Sequence, residues 1–222
     1  MKKLLLILLC LPLLFTTCKK EEDNNTPTNN TGNHNGQTYV PDDNFEQSLI
    51  NLGYDNVLDN YVITSSIDTV TVLEVYQQNI SDLTGIEDFT ALTVLDCEDN
   101  QLTSLDVSQN TALTVLSTEV NQLTSLDLSN NTALTDLWCY SNQLTTLDVS
   151  NNTALILLSC GNNQLTSLDL RNGNNTNMTT TWVANNPNLT CINVDDAAWS
   201  TANWVVSNMH FDPQHYFSEQ CP

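Results

Sequence analysis

Apolar and polar positions alternate along this chain in a frame that restarts every twenty-one residues. In "LTVLDCEDNQL", residues 92–102, the apolar slots are Leu92, Leu95, Cys97 and Leu102, and Asn100 stands before the last. The frame returns at Leu113, Leu134 and Leu155, and a looser copy, "VTVLEVYQQNI", begins at Val70. Within each run the period is two. Leu95 and Cys97 therefore face one way and Asp96 the other, as on a short strand. A second alternating run follows in each unit, with Leu105 and Val107 facing inward and Asp106 outward. One unit has too few apolar side chains to enclose any of them. Stacked units enclose them between neighbours, so the pattern predicts a solenoid of about five coils, with strands about 4.8 Å apart. Leu95, Leu116, Leu137 and Leu158 should then lie in single file. Asn100, Asn121, Asn142 and Asn163 form one column, and Asn110, Asn131 and Asn152 another. Buried amides there would satisfy backbone groups freed where the chain turns. Cys97, Cys139 and Cys160 share a core slot with Thr118 and read as small buried thiols. A Cys139–Cys160 bridge is less natural, because side chains in one column run parallel.

The ends carry other patterns. "YVPDDNFEQSLINLGYD" predicts an amphipathic helix over 43–52. Asp43 and Glu46 have capping-box spacing, Phe45, Leu49 and Leu52 share a face, and Gly53 supplies the stop. This helix belongs to an N-terminal cap, 39–69, ahead of repeats over 70–194. The last segment, 195–222, is non-repetitive. Trp199, Trp204 and Phe211 there read as capping residues, since an open solenoid end exposes its core. Cys191 and Cys221 bracket this segment, and a disulfide between them would hold it over the last coil. A zinc site shared with His210 and His215 is the alternative, although no pair has finger-like spacing. At the other extremity, Lys2 and Lys3 precede "LLLILLCLPLLF". That apolar run is too short for a permanent bilayer span and reads as an export signal. Residues 23–38 hold no large apolar side chain and read as a flexible tether, with His34 isolated in it.

"LFTTC" followed by "KKEED" resembles the processing site of bacterial lipoproteins, and the charged run resembles the surface-export tag of some Gram-negative members. The resemblance implies a signal peptide over 1–17, lipidation of Cys18, a tether over 18–38 and a surface-exposed place on the outer membrane. An ordinary secretory signal with an incidental cysteine is the alternative. The repeat frame resembles the leucine-rich repeat family, specifically its bacterial repeats of 21–22 residues, and "NISDLTGIEDF" is similar to internalin-type repeats. This second resemblance covers about 39–194. It implies a leucine-rich repeat solenoid: a right-handed, β-rich coil of parallel strands with a short capping helix and a C-terminal cap. It also implies that ligands bind the concave face.

The outward positions on that face drift from copy to copy, whereas "TSLDVSQNTA", "TSLDLSNNTA" and "TTLDVSNNTA" on the opposite half hardly change. By position, Trp138 and Tyr140 lie at the centre of the concave patch and Tyr76 further along. Asp96, Glu98, Glu119 and Asp136 surround the aromatics. Asp99, Val120, Ser141 and Asn162 read as further outward strand positions. Exposed Trp and Tyr anchor protein interfaces and also stack on sugar rings. The plainer reading is drift on a solvated face.

Charge narrows the partners. Twenty-six acidic residues face five basic ones, for a net charge of −21, and beyond residue 20 only Arg171 is basic. Such a domain repels nucleic acid and anionic lipid, so membrane contact would run only through the lipid on Cys18. Asp106, Asp127, Asp148 and Asp169 stack in a column, where each neighbouring pair repels by about 0.9 kcal/mol in water. Nearby hydroxyls or backbone N–H groups would offset this, with bound Ca²⁺ as the alternative. No phosphate loop, H-E-x-x-H or nucleophile elbow is present, so neither an enzyme nor a cofactor is expected. The expected function is recognition or adhesion at the cell surface, with a protein bound on the concave face. A carbohydrate-binding accessory lipoprotein and a passive structural surface protein are the alternatives.

Overall fold

The computed structural model describes residues 36–204 and 210–222. The export signal, Cys18 and His34 lie outside the described residues. The elements run in the order β1 (Gln37–Tyr39), α1 (Asp43–Leu52), β2 (Tyr61–Ile63), α2 (Thr64–Ile67), β3 (Val72–Glu74), β4 (Val94–Asp96), β5 (Val115–Ser117), β6 (Asp136–Trp138), β7 (Thr146–Asp148), β8 (Leu157–Ser159), β9 (Ser167–Asp169), β10 (Thr180–Trp182), β11 (Cys191–Asn193), α3 (Ala197–Asn203) and β12 (Tyr216–Ser218).

Two parallel sheets flank the core. One has six strands in the order β3-β4-β5-β6-β8-β10, and the other four, β7-β9-β11-β12. In the first, Leu73, Leu95, Leu116, Leu137 and Leu158 stand in register, and Thr181 ends the file. All five leucines are fully buried. The core therefore forms between coils, as the twenty-one-residue frame requires.

The six-stranded sheet holds one coil more than the five predicted. Its sixth strand, β10, lies in "NMTTTWVANN", where Met178 and Thr181 take buried slots that leucines fill elsewhere and Val183 takes the slot of Cys97, Thr118, Cys139 and Cys160. The opposite half forms a ladder only from β7 onward. Residues 104–106 and 125–127 keep the alternation without strand pairing.

The corner amides carry the turns. The Asn142 side chain donates to the Thr118 and Cys139 carbonyls and accepts from the Leu123 N–H. Asn121 and Asn163 repeat this one coil below and above, and Asn100, in the second coil, does so for groups of the first. Asn186 extends the column to the sixth coil, donating to Cys160 and Val183 and accepting from Leu165. Beside each of these five amides one residue turns left-handed, and Gln77 does the same in the first coil: Gln77, Asp99, Val120, Ser141, Asn162 and Asn185 all have φ between 51° and 64°. Asp99, Val120, Ser141 and Asn162 are thus corner residues and not outward strand positions. In the second column, Asn110, Asn131 and Asn152 are fully buried, and each donates to two carbonyls of the coil before.

The N-terminal cap differs in detail from its sequence reading. Helix α1 has the expected bounds, but Asp42 and not Asp43 is its N-cap, accepting from the Asn44 and Phe45 N–H groups. The second Asp42 oxygen accepts from Ser81 and Asp82, which ties the helix start to the first coil. Glu46 does not reach back in a capping box. It turns inward, fully buried, and accepts from the N–H groups of Asp59 and Tyr61. Leu52 is 46% exposed, so only Phe45 and Leu49 of the expected apolar face are buried. Gly53 ends the helix at φ 83°, a left-handed conformation that glycine adopts without a Cβ penalty. The antiparallel pair β1–β2 begins at Gln37, inside the stretch read as tether.

At the other end α3 and β12 close the solenoid. β12 adds in parallel to β11, and a Cys191–Cys221 disulfide spans Cα atoms 5.8 Å apart. Both cysteines are consumed in that bond, so neither is a thiolate that could share zinc with His210 and His215. Trp204 packs against Phe211 and Phe217, with ring centroids 5.9 and 5.6 Å away.

Candidate functional site

Strand register sorts the outward face of the six-stranded sheet into rows. One row runs Glu74, Asp96, Ser117, Trp138, Ser159, Trp182. Beside it, amide-to-carbonyl bonds across neighbouring coils align Tyr76, Glu98, Glu119, Tyr140, Gly161 and Ala184. A third row runs Val72, Val94, Val115, Asp136, Leu157, Thr180. The acids do not surround the aromatics. Glu74, Asp96, Glu98 and Glu119 occupy β3 to β5 and the turns just after them, while Trp138, Tyr140 and Trp182 occupy the β6-to-β10 end. Asp136 sits at the junction, its Oδ2 accepting from the Thr135 hydroxyl at 2.6 Å. Tyr76, 48% exposed, belongs to the acidic end, three strands and about 14 Å from the Trp138 coil.

The aromatic end is assembled across coils. Trp182 lies over Gly161, where a Cβ would come 3.0 Å from the indole Cδ1 and 2.8 Å from the Ala184 carbonyl oxygen. The missing side chain lets the indole reach Tyr140, with ring centroids 5.7 Å apart. On its other side Trp182 stacks on His210 at 6.3 Å. The Tyr140 hydroxyl accepts from the Asn162 side chain at 2.7 Å, so the ring is held at both ends. Trp138 is half-buried and shares with Trp182 the register position of Ser159, which is 3% exposed.

At the acidic end burial raises the Glu119 carboxyl above its ordinary value, and the charges of Glu98 and then Asp96 raise it further. Like charges crowded on a sheet, with no Lys or Arg among the described residues beside them, leave a potential that a cationic partner would relieve.

The Asp column on the opposite half is quieter. Asp106, Asp127 and Asp148 each accept from the N–H of a serine two residues on, and Asp169 from that of Arg171. Hydrogen bonds from Ser108 and Ser129 hold Asp106 and Asp127 below the usual carboxylate value, and the Arg171 side chain does the same for Asp169. These bonds offset the repulsion along the column. Among the described residues, no group of three or more His, Cys, Asp or Glu side chains converges to hold a metal ion. In the core, Cys97, Cys139 and Cys160 are buried free thiols, and burial pushes Cys160 up to about 12.

No protein-family model matches the chain. Internalin J of Listeria monocytogenes (serotype 4b, strain F2365) is 38% identical over 89 residues, 38% of this chain and 10% of that protein. The solved functional domain of internalin J, described as including a cysteine ladder, aligns with a TM-score of 0.61 and 36% identity, over 71% of this chain and 38% of that one. This is a leucine-rich repeat solenoid. The chain thus spans 10% of internalin J and 38% of its solved functional domain. Internalin C2 of the same bacterium aligns at a TM-score of 0.47 and 18% identity, over 81% of this chain and 94% of that one. The leucine-rich repeat frame accounts for the Cys97–Thr118–Cys139–Cys160 column as one core slot per coil.

Trp182 and His210 belong to the site but escaped the sequence reading. A signal for Trp182 exists: Val183 precedes Asn186 by three, as Cys97 precedes Asn100. For His210 there is none, because it arrives from the non-repetitive cap.

Proposed function

We propose that this chain is a non-enzymatic recognition module that binds a protein through the exposed face of its six-stranded sheet, the concave face of the leucine-rich repeat resemblance. The observation that carries this is the division of that face into an acidic end and an aromatic end on one preformed sheet. A matching partner has a basic segment over Glu98 and Glu119, and an apolar or planar group over Tyr140 and Trp182. The sheet is tied by corner amides, so little ordering entropy is lost on binding. The similarity to internalin J supports a protein-interaction role. The lipoprotein-like run "LFTTC" followed by "KKEED" supports a place at the cell surface for the module, with lipid on Cys18. Among the described residues no helix is long and apolar enough to cross a membrane.

The test starts from partners captured from a cell-surface extract and identified, with affinities then measured for variants. Glu98→Lys with Glu119→Lys should weaken binding at low salt far more than at high salt. Trp182→Ala should weaken it at both. Asp106→Lys, on the opposite half, should leave it unchanged. The reverse pattern, with loss from Asp106→Lys alone, would refute the assignment. Mass spectrometry of the mature N-terminus tests the anchor: a peptide beginning elsewhere than at a lipidated Cys18 removes it.

A further inference from the structure

The leucine file of the core ends in a polar residue. Thr181 stands in register with Leu158 and is 4% exposed, yet its Oγ1 is buried without a hydrogen-bond partner. A hydroxyl left so is destabilising unless something from outside pairs it. Thr181 lines a cleft of about 320 Å³ between the sixth coil and the C-terminal cap. The walls include Met178, Trp199, Trp204 and His210. The two indoles meet edge to face with centroids 5.9 Å apart. Among the described residues, no Asp, Glu, Lys or Arg lines the cleft.

We propose that this cleft binds a neutral hydroxylated ring, one pyranose unit of a glycan. Indole faces stack on the C–H face of a sugar, and the Thr181 hydroxyl pairs with one of its hydroxyls. The volume suits a single ring, at the small end of ligand clefts. Neutrality follows from the uncharged walls and from the net charge of −21, which repels anionic sugars. His210 lines the cleft and also stacks on Trp182, so the aromatic surface continues outward. Further sugar units would run over Trp182 towards Tyr140. The site does not depend on the protein-recognition reading, since none of the acidic residues of the sheet lines it.

The full-length chain is titrated with the methyl glycosides of glucose, galactose, mannose and N-acetylglucosamine, followed by saturation-transfer NMR and tryptophan emission. At least one sugar should bind at millimolar concentration and keep its affinity in 1 M NaCl, roughly ten times the salt at which surface charges are already largely screened. Thr181→Val keeps shape and volume, and should weaken it about fivefold with no loss of melting temperature. Trp199→Ala should abolish it, and Asp106→Asn, on the opposite half, should change nothing. The proposal is overturned by silence from all four sugars, or by binding that survives both Thr181→Val and Trp199→Ala.

Discussion

A single corner amide replaces several backbone partners at once. Asn142 serves the Leu123 N–H and two carbonyls. Asn142→Leu adds apolar area yet orphans those groups, and should lower stability by about 3 kcal/mol in urea denaturation. Val120 shows the opposite case. It is a β-branched residue at φ 52° and 43% exposed, in a column otherwise held by Gln, Asp, Ser and Asn. Val120→Asn should raise stability by about 1 kcal/mol, read as a higher urea midpoint at constant slope. The amide column was legible because asparagine recurs with the leucine frame. The left-handed corners were not, since their residue types drift and only backbone geometry groups them. The capping-box spacing pointed to Asp43, but Asp42 caps the helix, and its contacts with Ser81 and Asp82 on the first coil carry no signal in the local sequence.

At the scale of elements, β10 and the cap form one unit around Gly161 and Asp212. Gly161→Ala puts a methyl 2.8 Å from the Ala184 carbonyl oxygen and 3.0 Å from the Trp182 ring. It should displace the indole, shifting tryptophan emission and lowering the melting temperature. The Asp212 carboxylate accepts from the Asn185 and Asn186 N–H groups, and its own N–H donates to His215 Nδ1. Burial lowers the His215 pKa below 6.5, partly opposed by the Asp212 charge and a backbone bond at Asn186. The native state therefore prefers neutral His215, and the unfolded chain takes up the proton first. The stability from this group is complete above about pH 6.5 and falls as pH drops below it. His215→Gln should flatten the pH dependence of the melting temperature in that window. An unchanged slope would remove His215 from the account.

At the scale of the whole molecule, crowded acids strain the face they occupy. Glu119 has a raised carboxyl pKa, so its charged form is disfavoured in the native state. The native preference is complete at pH below the ordinary value of 4.5 and is lost as pH rises through the raised one. Glu119→Gln should hence raise the melting temperature at pH 7, and the gain should vanish in acid. Added salt should likewise narrow the difference between the two proteins, by screening Glu98 and Asp96. If the same substitution also weakens partner binding, stability and recognition oppose each other at that residue.

The sequence by itself determined the stacked coil, the leucine file, the first amide column and the bounds of α1. Each of these repeats a local pattern, and periodicity exposes such patterns without coordinates. The tertiary structure alone decided the separation of acids from aromatics and the Tyr140–Trp182–His210 surface. Those depend on which residues of different coils share a register, and on a cap that returns to the sheet from far along the chain. No spacing within one repeat encodes such long-range meetings.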